Sequence, residues 1–135
     1  MEYEGIELVD PATRELQHRV VRSIWETLNE SGIGTGATGR ITGYFTANSK
    51  SAALALFKKY KAVEDGDFES TMRKKKNAKE WTVEILTSEC HFTLGAFTEL
   101  VDMYLIDAAY FEVKFNGLEV ARSNVRVRKP WWRFW

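Results

Sequence analysis

Few side chains in this sequence could do chemistry, and their spacing argues against the reactions they suggest. The single cysteine, Cys90, stands beside His91, with Glu89 before it; the other histidine, His18, is far away in the chain. A thiol and an imidazole can act as nucleophile and base, but consecutive side chains on an extended segment point to opposite faces. A metal could recruit Glu89, Cys90, His91 and His18, yet adjacent ligands lack the usual spacing and no second pair exists. A structural loop before the next helix accounts for the segment. No catalytic residue, metal or cofactor is therefore expected. One cysteine also excludes a disulfide framework within the chain and fits a reduced, cytoplasmic setting.

Gly34-Thr35-Gly36-Ala37-Thr38-Gly39 spells G-x-G-x-x-G. That fingerprint binds a dinucleotide only when a strand precedes it and a helix follows, so that the pyrophosphate meets a helix N-terminus. Here a helix precedes and a strand follows, and the glycines read as a flexible connector. Glu64-Asp65-Gly66-Asp67 gathers carboxylates round a glycine, but the twelve-residue calcium loop with its terminal Glu is missing. A solvated turn is the simpler reading.

Basic residues point to binding instead. The run from Arg73 to Lys79 holds five of them, Arg73, Lys74, Lys75, Lys76 and Lys79. At a hairpin tip they can contact phosphates, or keep a turn soluble and guard an edge strand. The C-terminal stretch carries Arg126, Arg128, Lys129, Trp131, Trp132, Arg133 and Trp135, including three of the five tryptophans. Trp and Arg are the residues most enriched at interface hot spots, and they also stack on bases. Charge is divided accordingly: up to Glu119 there are 14 basic against 19 acidic residues, and beyond it five basic and no acidic ones. The alternative is that the tail's aromatics finish the domain's own core.

These residues must be positioned by a small set of elements. Asp10-Pro11 opens a first helix, since Asp caps and Pro suits the first helical position. Leu16, Val20, Ile24 and Leu28 mark its buried stripe, and it ends near Ser31-Gly32. A strand, Arg40 to Thr46, leads to Asn48 or Ser49, either of which can cap a second helix through Lys61. Ala53, Leu56, Phe57 and Tyr60 form that helix's inner stripe. Asp67 to Lys74 follows as a strand, and Lys75-Lys76-Asn77-Ala78 turns it back. Trp81, Val83 and Ile85 then alternate with Thr82 and Glu84, the period of a half-buried strand. A third helix carries Phe97, Leu100, Val101 and Tyr104 inward, with Glu99 and Asp102 on the other side. Tyr110 to Phe115 alternates again, and Asn116-Gly117 before Leu118 predicts a type I′ hairpin.

The order is that of a split βαβ, so the predicted fold is α/β of the α+β kind. It is a ferredoxin-like βαββαβ sandwich with an extra N-terminal helix and an extra C-terminal strand. At 135 residues the chain fits one domain, 1–135. Within it, residues 1–31 hold the N-terminal helix, 40–120 the ferredoxin-like core and 121–135 the basic aromatic tail. No run approaches a membrane span, and the acidic start lacks the apolar stretch of a signal peptide.

From about Ile24 to Val120 the sequence resembles the regulator of ribonuclease E activity B family. The likeness rests on Trp25-Glu26-Thr27-Leu28 with Gly32, the Ile41 to Phe45 strand, the helix from Ser49, the Trp81-Thr82-Val83 strand and the second core helix leading to the expected hairpin. Where the family's hairpin reads Tyr-Asp-Gly-Trp, this chain has Phe115-Asn116-Gly117-Leu118. Its tail is basic where the family tends to acidic tails. The resemblance implies a ferredoxin-like sandwich and a non-catalytic regulator or inhibitor that binds a protein partner, a ribonuclease in the family's case. The alternative reading is a nucleic-acid-binding module that uses the basic turn 73–79 and the Arg/Trp tail.

Overall fold

Each of the three α-helices among the described residues begins where an oxygen-bearing side chain can satisfy one of the orphan N–H groups of a first turn. In the computed structural model, which describes residues 5–34, 36–62 and 68–120, Asp10 caps α1 (Pro11–Glu30) by accepting from the Thr13 N–H at 3.3 Å. Ser49 caps α2 (Lys50–Lys61) through the Ala52 N–H, and Thr93 caps α3 (Leu94–Phe111) through the Ala96 N–H at 2.9 Å. A short 3-10 turn, Ile6–Leu8, precedes α1. The strands are β1 (Thr38–Gly39), β2 (Ile41–Ala47), β3 (Phe68–Arg73), β4 (Trp81–Thr87), β5 (Cys90–His91) and β6 (Lys114–Val120).

Four of these strands form one sheet in the order β3-β4-β2-β6, with every neighbouring pair antiparallel. β4 therefore lies between β2 and β3, and β2 lies between β4 and β6. Two strand–helix–strand units are interleaved, α2 connecting β2 to β3 and α3 connecting β4 to β6. The class is α+β.

Burial alternates along β2, with Ile41, Gly43, Phe45 and Ala47 inward. β4 follows suit with Val83, Ile85 and Thr87. α2 and α3 cover this face. Tyr60 of α2 meets Phe68 at 4.9 Å between ring centroids, and Tyr104 of α3 meets Phe45 edge-on at 5.2 Å. Such pairs add to simple area burial through the quadrupoles of the rings. The other face carries Thr42, Tyr44 and Thr46 beside Glu84, Arg73 and Glu119, joined by Tyr44–Glu119 and Arg73–Glu84 hydrogen bonds.

Several expectations change. Asn116-Gly117 makes no hairpin; β6 runs straight through both residues. Tyr44 pairs with Gly117 and Phe45 with Phe115, so Asn116 is an extra residue in a β-bulge. Gly117 supplies the positive φ, +124°, and Asn116 Nδ2 donates to Thr46 Oγ1 at 3.1 Å. Tyr110 and Phe111, read as the start of a strand, end α3 instead, and Glu112 stops the helix in the left-handed region at φ +55°. The glycine connector contributes a strand, β1, which pairs with β5. The stripe Leu16, Val20, Ile24 and Leu28 is not the buried face of α1 throughout: Leu16 is 52% and Val20 41% exposed. Asp102, placed by periodicity on the solvent side of α3, is buried.

Candidate interaction surface

α1 packs along α3 through a face made of Arg14, His18, Val21, Trp25 and Leu28, which recur at helical spacing. Asp102 receives it. Arg14 donates from Nε to Oδ1 at 3.0 Å and from Nη2 to Oδ2 at 2.9 Å, a bidentate pair. His18 Nε2 lies 2.7 Å from Oδ1 of the same carboxylate. An ionised carboxylate only accepts, so Nε2 carries the hydrogen. Burial by itself raises the Asp102 pKa, but the hydrogen bonds from Arg14 and His18 outweigh it and hold the carboxyl below its ordinary range. Farther along, the Trp25 ring lies 5.8 Å from that of Phe97, while Val21 and Leu28 are buried. As α1 advances from Arg14 to Trp25 its partners recede from Asp102 to Phe97, so the two helices are antiparallel.

This seating turns a second, apolar face of α1 outward. Val20 and Ile24, with the buried Leu28 at the groove's floor, form one wall of a groove of about 600 Å³ whose other wall is Leu118 and Val120 of β6. On the same side, Leu8 and Leu16 border a hollow of about 490 Å³ against Leu105, Ala108, Val113 and Phe115. Leu8 is itself 56% exposed. The outcome is an apolar strip along α1 beside β6 that the described residues leave partly exposed. Exposed leucines scattered singly mean little, whereas a contiguous apolar strip beside a groove is the form of a docking surface.

A second buried carboxylate, Asp107, accepts from Lys59 Nζ and from the Tyr60 hydroxyl, tying α3 to α2. Burial first, and the Asp107 charge second, push the Tyr60 phenol far above its ordinary range. Both aspartates sit in a helix that is otherwise strongly apolar. A charge within such a stretch needs a partner, and Arg14 with His18, four residues apart, is the matching signal on α1. That pairing was open to sequence reasoning and was missed by it.

The residues singled out for chemistry are dispersed. His18 is engaged by Asp102. Cys90 and His91 lie on β5: Cys90 is half-buried, its thiol donates toward Gly39 O at 3.5 Å, and His91 is exposed. Burial pushes the Cys90 thiol up, opposite to what an activated thiolate needs. Among the described residues no group of three or more His, Cys, Asp or Glu side chains is placed to hold a metal. No helix among them is long and apolar enough to cross a membrane.

The basic turn is exposed at Arg73, Lys74, Lys75, Lys76 and Lys79. Arg73 Nη2 reaches Glu84 Oε1 at 2.6 Å, and Lys74 Nζ stands 5.8 Å from the Trp81 ring centroid. Glu64, Asp65, Gly66 and Asp67 lie outside the described residues, as does the whole tail with Arg126, Arg128, Lys129, Trp131, Trp132, Arg133 and Trp135. No protein-family model matches the chain, and no curated protein matches it.

Proposed function

We propose that this protein is a non-catalytic regulator or inhibitor that works by binding a protein partner. The apolar strip of α1 that the described residues leave partly exposed, Leu16 and Val20 beside the groove to β6, carries this reading. Leu16 and Val20, 52% and 41% exposed on one helix face and continuous with the groove, offer a partner a contiguous apolar contact. The likeness to the regulator of ribonuclease E activity B family suggests an endoribonuclease as that partner. The Arg- and Trp-rich residues Arg126, Arg128, Lys129, Trp131, Trp132, Arg133 and Trp135 are proposed to contribute contacts, as their types favour interface hot spots.

The test is a pull-down from native lysate with and without nuclease, followed by an inhibition assay on a purified ribonuclease E-type enzyme. Capture of one protein that survives nuclease, with slower cleavage by the purified enzyme, supports both parts. Capture without any effect on the enzyme keeps the binding role and removes the ribonuclease. Loss of every captured protein on nuclease treatment overturns the proposal.

A further inference from the structure

The opposite edge of the sheet from the α1 groove brings together residues that the chain separates. Lys50, the first residue of α2, places its Nζ 5.7 Å from the centroid of the Trp81 ring; Lys74, on the turn after β3, places its own at 5.8 Å. Trp81 opens β4 and is half-buried beside Ala47 of β2. Lys75, Lys76 and Lys79 continue the turn, which closes by the Ala78 N–H donating to Lys75 O at 3.0 Å with Asn77 at φ +67°. All of these lysines are exposed, and none pairs with a carboxylate of a described residue. Arg73 alone is drawn to an acid, Glu84.

We infer that this end of the sheet, Lys50, Lys74, Lys75, Lys76, Lys79 and the Trp81 indole, binds single-stranded nucleic acid. The chemistry is that of a cationic track with one aromatic ring. Ammonium groups neutralise successive phosphates and release their counterions, while an indole accepts a base by stacking without regard to its identity. A membrane surface is the other polyanion, but the turn from Lys74 to Glu80 has no apolar side chain larger than Ala78 to enter an acyl layer. The open face of the sheet is not the platform: Tyr44 is the one ring on it among the described residues, and its hydroxyl is taken by Glu119. The contact is therefore expected at the tip and end of the sheet rather than across it, and without sequence preference.

The experiment is fluorescence anisotropy of labelled mixed-sequence RNA and DNA single strands, about 15 nucleotides long, titrated with the full chain from ~50 mM salt upward. Binding that weakens with salt is expected. Lys74→Ala/Lys75→Ala/Lys76→Ala should weaken it at least tenfold at ~50 mM salt and flatten the log–log salt slope by about 2, three contacts at roughly 0.7 each. Lys50→Ala, on a different element, should weaken it too. Lys58→Ala/Lys61→Ala removes two charges from the far end of α2 and should leave affinity unchanged, with circular dichroism confirming that all variants fold. Phosphatidylcholine–phosphatidylserine vesicles form the membrane arm. Absence of binding at ~50 mM salt, equal losses in the α2 control, full affinity in Lys50→Ala, or binding to vesicles without binding to oligonucleotides would each overturn the inference.

Discussion

His18 of α1 holds its Nε2 2.7 Å from Oδ1 of Asp102 on α3, and Arg14, one turn earlier, grips the same carboxylate with two hydrogen bonds. One buried charge thus ties the first half of α1 to α3. Asp102→Ala should leave Arg14 and His18 facing a hole and cost about 2–4 kcal/mol, below the usual figure for a fully buried pair because Arg14 and His18 retain some exposure. Urea unfolding checks the size.

The pH dependence follows from the sign of the Asp102 shift. Its folded pKa is depressed below the unfolded one. The stability it contributes is therefore present above the ordinary carboxylate range and is lost as pH falls through the folded value. The stability gap between the natural protein and Asp102→Asn should accordingly narrow as pH falls below the ordinary carboxylate range, about pH 4. A gap that widened below that range would contradict the charge-assisted pairing.

Gly43 and Tyr104 make a second such dependence. A Cβ at Gly43 would stand 2.5 Å from Tyr104 Cε2, and Tyr104 is fully buried with no room to withdraw. Gly43→Ala should destabilise by about 1–3 kcal/mol through overpacking. Tyr104→Phe should behave differently. Its hydroxyl finds no hydrogen-bond partner among the described residues, so removing it should leave stability unchanged or raise it by up to about 1 kcal/mol. Denaturant midpoints of the two variants distinguish these outcomes.

Gly117 carries a φ of +124° at the β6 bulge, with open space around the position a Cβ would take. Any loss on substitution there is backbone strain and not a clash. Gly117→Val should cost about 1–3 kcal/mol, and a melting temperature equal to that of the natural protein would show that the bulge tolerates a side chain.

The glycine also shows how far the sequence could be read. Asn-Gly announces positive φ, and positive φ is present. Both a type I′ turn and a bulge use it, and the choice depends on the partner strand, since β2 runs past both residues and leaves no room for a reversal. The caps at Asp10, Ser49 and Thr93 are local chemistry, and those at Asp10 and Ser49 were legible. The strands β2, β3 and β4 were legible too, and in β4 so was the alternation, because one covered face imposes a period of two. β1 and β5 are two-residue strands, too short to show any period. The orientation of α1 was not legible from its aliphatic residues, because the helix has two candidate faces. The bond from Arg14 and His18 to a carboxylate 84 or more residues later decides between them. The same choice exposes Leu16 and Val20, so the error in the predicted core and the candidate binding surface have one cause.

Binding by the double variant Leu16→Glu/Val20→Glu tests the central claim most directly. The partner is the nuclease-resistant protein recovered by pull-down and then purified, and the readout is isothermal titration. Both side chains are already more than two-fifths exposed, so folding should be preserved, with the unfolding free energy within about 0.5 kcal/mol of the natural protein. Affinity should fall at least tenfold, about 1.4 kcal/mol. A folded variant that binds its partner as tightly as the natural protein would contradict the account.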